Sequence, residues 1–158
     1  MLHRSIDSFT DSHEATRHAK EVFRPVYRLY SGAVMDVLYD HFLATDDAEF
    51  TEASFFSFSQ EVYGTLDKHT DQLPEYFARI FPSMKQHNWL LNYRQRQGTQ
   101  RSLAGLVKRA AYLTESDTAF QLFEKHYDFL KECYHNLWGD IKPFARQQLE
   151  ILQNENRT

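Results

Sequence analysis

Cysteine occurs once in 158 residues, at Cys133, which excludes a disulfide framework and a cysteine-ligated zinc cluster. Five glycines and four prolines leave little material for the many tight turns of a sandwich or barrel. No run approaches the roughly 20 apolar residues that a membrane span needs. The opening MLHRSIDSFTDSH lacks the apolar centre of a secretory signal, so a cytoplasmic protein is expected. Neither a glycine-rich phosphate loop nor a nucleophile-elbow pattern is present. Acidic residues are missing from one long stretch, with none between Glu75 and Glu115.

That gap makes the charge uneven. The 18 basic and 22 acidic side chains give a net −4. Residues 76–114 carry Arg79, Lys85, Arg94, Arg96, Arg101, Lys108 and Arg109, a charge of +7. The remainder then holds 11 basic against 22 acidic residues, or −11. Such asymmetry suits an anionic partner, although a solvated face balanced by acidic neighbours in space would look the same. Tyr76, Phe77, Phe81, Trp89, Tyr93 and Tyr112 interleave with these charges, as in some nucleic-acid surfaces. Their helical spacing reads as core and the whole chain is acidic, so no nucleic acid is expected.

A composition of 42% hydrophobic and 15% aromatic residues supports one packed domain over residues 1–158. Periodicity is helical almost throughout. Phe120, Phe123, Tyr127, Leu130, Tyr134, Leu137 and Ile141 recur at steps of three and four, one face of a long amphipathic helix. Gly139 and Pro143 are expected to kink or divide it, and residues 153–158 to fray. Phe55, Phe58, Val62 and Leu66 form a second stripe, with Thr51 and Ser54 as caps. Pro82 should separate two helices, Arg24-Pro25 should bend the chain, and Gly98-Thr99 should restart a helix. Asp11 with Glu14 resembles a capping pair. The expected fold is an all-α, single-domain helical bundle.

The segment Gly32 to Ala44 is apolar nearly all round apart from Asp36, Asp40 and His41, and such a helix belongs in a core. Asp36 and Asp40 stand four apart and share a face. Two carboxylates and an adjacent imidazole aimed into a bundle suit a divalent metal of the manganese, iron or magnesium kind. The alternative is structural: Asp36 pairs with an arginine and His41 caps a carbonyl. In the N-terminal run, His3 and Asp7 are also four apart, with Arg4 beside them and Asp11 and His13 following. These could supply further ligands and a phosphate-binding arginine, or merely a capped helix start. His18, His69, His87, His126 and His135 read as ordinary polarity, and Cys133 as packing.

The run His3-Arg4-Ser5-Ile6-Asp7-Ser8-Phe9-Thr10-Asp11-Ser12-His13 resembles the signature of the acyl carrier protein phosphodiesterases. Phe23-Arg24-Pro25 and Asp36-Val37-Leu38-Tyr39-Asp40-His41-Phe42-Leu43 follow at fitting distances. Asn88-Trp89-Leu90, Tyr93, Gly98 and Leu103-Ala104-Gly105-Leu106 are also similar to that family, and the likeness runs from Leu2 to about Tyr127.

The resemblance implies an all-helical fold like that of the HD-type metal-dependent phosphohydrolases. It also implies hydrolysis of the phosphodiester joining phosphopantetheine to a serine of holo acyl carrier protein, with a divalent cation, commonly Mn2+, or else Mg2+ or Fe2+. Carried over by motif, His3, Asp7 and Asp40 are the expected metal ligands, with Asp11 and His13 supporting or replacing them. Arg4, Asp36 and His41 are the expected catalytic groups. Arg24 and Arg28 would meet the substrate phosphate, and Arg94, Arg96 and Arg101 the acidic carrier. Family members begin with a further segment bearing His and Asp, whereas this chain starts inside the helix before His3. A shortened chain would leave apolar faces uncovered and favour a homo-oligomer. Two other readings stand beside hydrolysis: a non-catalytic module that binds the carrier, and a general nucleotide phosphohydrolase.

Overall fold

The computed structural model describes residues 2–155, and among them every regular element is helical and no strand occurs. The elements are α1 (Leu2–Ser12), α2 (Glu14–Tyr27), α3 (Ser31–Thr45), α4 (Glu52–Asp67), α5 (Glu75–Gln86), α6 (Trp89–Asn92), α7 (Arg96–Arg109), α8 (Asp117–Lys125) and α9 (Tyr127–Glu155), with short 3-10 turns at Arg28–Tyr30 and Thr70–Gln72. Among the described residues no helix is long and apolar enough to cross a membrane. Residues 156–158 of the expected frayed tail lie outside the described residues, and 153–155 are helical.

The core follows from the apolar stripes. Ala15, Ala19, Phe23 and Tyr27 repeat every four residues along α2 and meet Val34, Met35, Leu38 and Phe42 of α3. Leu103 of α7, Ala119 and Phe123 of α8, and Leu130, Cys133 and Tyr134 of α9 close the cluster. Helix α1 lies across α9 and beside α2, with Phe9 stacked on Phe144 at 4.4 Å. A satellite layer of α4–α6 is tied by Tyr63, whose hydroxyl donates to Asn88 Oδ1 at 3.1 Å and accepts from Leu90 N at 3.0 Å.

Several sequence expectations are corrected. Pro25, Pro82 and Pro143 all sit inside helices, and neither Gly139 nor Pro143 ends α9. Each proline is on an exposed face, so the carbonyl four residues back loses its helical partner to water rather than to the protein interior. The long C-terminal stripe is instead broken at His126, between α8 and α9. The cap of α2 is His13, whose Nδ1 accepts from Ala15 N at 3.2 Å. Asp11 belongs to the last turn of α1. Thr51 and Ser54 do cap α4, and they do so reciprocally as a capping box, a motif whose cap residue is worth about 1 kcal/mol. Helix α7 starts at Arg96, two residues before the expected restart.

His41 is 2% exposed. Its Nδ1 lies 2.8 Å from the Tyr93 carbonyl, which can only accept, so Nδ1 carries the proton. Nε2 is then an acceptor for the Tyr127 hydroxyl at 3.1 Å. One ring thus joins α3 to the turn before α7 and to the start of α9. Burial holds the imidazole below the ordinary histidine range, and Arg96 adds to that effect.

A Cβ on Gly98 would fall 1.8 Å from the Asn92 carbonyl oxygen, so Gly98→Ala should destabilise the fold by about 1–3 kcal/mol or more, read by urea denaturation. His41 stays neutral in the fold, while in the unfolded chain it takes up a proton near about 6.5. Its stabilisation is therefore complete above that value and is lost as the pH falls towards the lower folded-state pKa. The stability advantage of wild type over His41→Asn should shrink between about pH 7.5 and pH 5.5; a constant gap would contradict a neutral buried ring.

Candidate functional site

A groove runs between α1, α3 and α9. The i, i+4 spacing of Asp7 and Asp11 places both on one face of α1, and the same spacing places Asp36 and Asp40 on the facing side of α3. Its three parts are continuous. Asp11 and Asp36 border a cleft of about 650 Å³ that is also lined by Lys20, Arg24, Arg28, Leu29 and Gly32. Asp7, Thr10, Asp11 and Asp36 line the middle. Asp7, Asp36 and Asp40 then open onto a trough of about 270 Å³ walled by Tyr39, Leu43, Tyr134, Leu137, Trp138 and Ile141.

The aromatic walls show mainly ring surface, because their polar tips are bonded elsewhere. Tyr39 shares a 3.0 Å hydrogen bond with Thr16. Tyr134 donates to Asp46 Oδ2 at 2.9 Å, and Trp138 Nε1 to Glu49 Oε1 at 2.9 Å.

Electrostatics set the middle apart. Asp36 and Asp40 reach solvent at the groove mouth, yet protein crowds their carboxyls. Burial raises the Asp36 pKa, the charges of Asp11 and Asp7 raise it further, and Lys20 partly offsets them. Burial and then the charge of Asp36 push Asp40 up to about 6. Lys20 Nζ lies 2.7 Å from Asp11 Oδ1 and bridges the acidic middle to the basic cleft.

The carboxylates fit a hard divalent cation in donor type, since such ions prefer oxygen ligands and would relieve this mutual repulsion. No closed cage exists, however: among the described residues no three His, Cys, Asp or Glu side chains are gathered as a metal site.

The expected site residues therefore divide. Asp7, Asp11, Asp36, Asp40, Arg24 and Arg28 are brought to the groove. His3 lies on the same stripe of α1 as Asp7 but is open to solvent and not part of the groove lining. Arg4 faces away and lines a shallow recess with Ser8, Phe9 and Phe144. His13 is occupied by its capping bond and by Asp140 Oδ2 at 3.0 Å. His41 points into the core, one helical step of about 100° from Asp40, and does cap a carbonyl. Asp36 pairs with no arginine among the described residues.

Three of the seven cations in the basic stretch are engaged within the molecule. Arg94 donates to the Ala44 carbonyl at the end of α3. Arg96 pairs with Glu124 and stacks 4.0 Å from the Tyr127 ring centroid. Lys85 pairs with Asp67 at 2.7 Å, and Arg101 stays exposed. Lys20 was not singled out from sequence; its signal was its place four residues before Arg24. The groove walls Tyr134, Leu137 and Ile141 were visible only as a core stripe.

Comparison with known proteins places the chain. The profile described as acyl carrier protein phosphodiesterase matches residues 1–141. A curated relative named acyl carrier protein phosphodiesterase from Enterobacter sp. (strain 638) is 30% identical over 149 residues, spanning 94% of this chain and 77% of that protein. Proteins of the same name from Photorhabdus laumondii and Klebsiella pneumoniae are each 28% identical, covering 94% and 93% of this chain and 74% and 77% of their own lengths. No solved structure matches. With its family match spanning the N-terminal signature, the groove helices α1 and α3 and the first half of α9, the chain belongs to the acyl carrier protein phosphodiesterase family.

Proposed function

We propose that the groove hydrolyses the phosphodiester between phosphopantetheine and a serine of holo acyl carrier protein, releasing the apo protein and 4′-phosphopantetheine. The observation that carries this reading is the junction of an aspartate cluster with a basic cleft. A phosphodiester needs cations around its non-bridging oxygens and an acceptor for the proton of attacking water. Arg24 and Arg28 can hold the phosphoryl oxygens, with Lys20 at the boundary. Asp40, which burial pushes up to about 6, can take a proton from water on a carboxylate oxygen. The pantetheine arm, largely uncharged, suits the ring-walled trough.

Asp7, Asp11, Asp36 and Asp40 are the groups that would hold a divalent cation, manganese, magnesium or ferrous iron by donor type. When bound, such an ion supplies charge stabilisation at phosphorus and a more acidic water. The alternative of a carrier-binding module without hydrolysis is favoured by one observation, the absence of a gathered ligand cage among the described residues.

Incubation with holo carrier protein and Mn2+, followed by mass spectrometry of the carrier, separates these readings. Loss of phosphopantetheine is expected. Asp36→Asn and Asp40→Asn should each lower the rate by about 100-fold or more while leaving the helical circular dichroism unchanged. Full activity in Asp40→Asn would remove the groove from the chemistry. Carrier binding without phosphopantetheine loss would favour the binding module.

A further inference from the structure

Arg17, Lys20, Arg24 and Arg28 follow one another at steps of three, four and four, so they form a single row along α2 and its C-terminal cap. The row lies apart from the core face of Ala15, Ala19, Phe23 and Tyr27. Arg17 and Arg28 are exposed, and neither has an acidic partner among the described residues. Arg24 pairs only with Glu21, and both side chains are more than half exposed; such pairs are weak and exchange readily.

At the end of the row stands Leu29, 98% exposed. It is presented by Arg28, whose φ of 46° lies in the left-handed region that glycine occupies most easily. A lone surface leucine needs no explanation. This one shares a cleft with Lys20, Arg24 and Arg28, and the far wall of that cleft is Asp11 and Asp36 of the groove.

We propose that the Arg17–Lys20–Arg24–Arg28 row and Leu29 form the docking surface for an acidic, amphipathic helix of the carrier protein. Carboxylates of that helix would face Arg17 and the outer side of the row, whose inner side lines the cleft with Lys20 held on Asp11, and one apolar side chain would cover Leu29. The proposal rests on the reading above that the substrate is a carrier protein. Charge complementarity selects the partner, and continuity with the groove gives the surface its purpose: a carrier seated there presents its modified serine at the edge of the aspartate cluster. The acid-free stretch 76–114 is the poorer candidate, because none of its residues lines the groove or the cleft that opens from it.

Apo carrier protein isolates docking from hydrolysis, since it lacks the scissile bond. Leu29→Asp and Arg17→Glu should each raise its Kd by about tenfold or more, and binding to the wild type should weaken with added salt. With holo carrier, the same variants should raise KM and leave kcat within about twofold. Lys108→Glu, an equal charge reversal in the 76–114 stretch, should change the Kd by less than about twofold. Unchanged Kd in Leu29→Asp and Arg17→Glu, or an equal loss in Lys108→Glu, overturns the proposal. Tight binding through the row without phosphopantetheine release overturns the hydrolytic reading and leaves the docking surface standing. Release with unchanged KM in both variants does the reverse, and a wild type that neither binds nor cleaves the carrier removes both.

Discussion

A neutral imidazole with both nitrogens bonded sits at the centre of this fold. His41 is the polar side chain through which α3 is bonded to the turn before α7 and to the start of α9. Arg96 lies over the Tyr127 ring on the far side of that bond and discourages protonation. With His41 directed inward, helical geometry leaves its neighbour no choice. Successive residues are about 100° apart, so Asp40 must emerge on another face, and Asp36 emerges with it one turn earlier. The core bond thus sets the rotation of α3, and that rotation aims the carboxylates into the groove.

The groove gathers like charges against crowding protein, an arrangement that costs stability unless something compensates. Lys20 supplies part of the compensation, and the raised pKa values of Asp36 and Asp40 show that it is incomplete. Residual strain of this kind concentrates at functional sites. Around it the bundle separates three chemistries along one line: cations at the α2–α3 corner, carboxylates in the middle, aromatic and aliphatic surface against α9. A phosphodiester with a charged protein on one side and a long neutral arm on the other has the same order.

Much of the architecture was legible in the sequence because helix periodicity is local. The face of α9 carrying Leu130, Tyr134, Leu137 and Ile141, the caps Thr51 and Ser54, and the shared face of Asp36 and Asp40 all depend on near neighbours in the chain. The buried face of α4, by contrast, runs through Phe55, Ser59 and Tyr63 and leaves Phe58 exposed. What escaped depends on distant partners. His41 looked like a ligand because its bonds are to Tyr93 and Tyr127, 52 and 86 positions away. Arg94 and Arg96 looked like a partner surface because Ala44 and Glu124 lie far along the chain. The prolines misled differently: breaking a helix requires that the orphaned carbonyl have no other partner, and exposure to water supplies one.

Trp138 gives the groove an optical reporter. Its indole is fixed to Glu49 by the Nε1 bond while its ring borders the trough. The chain's other tryptophan, Trp89, starts α6 in the satellite layer. Emission from the two indoles therefore originates in separate environments, and a ligand entering the trough displaces water from one of them alone. The chain's native fluorescence can follow occupancy of the trough without an added label.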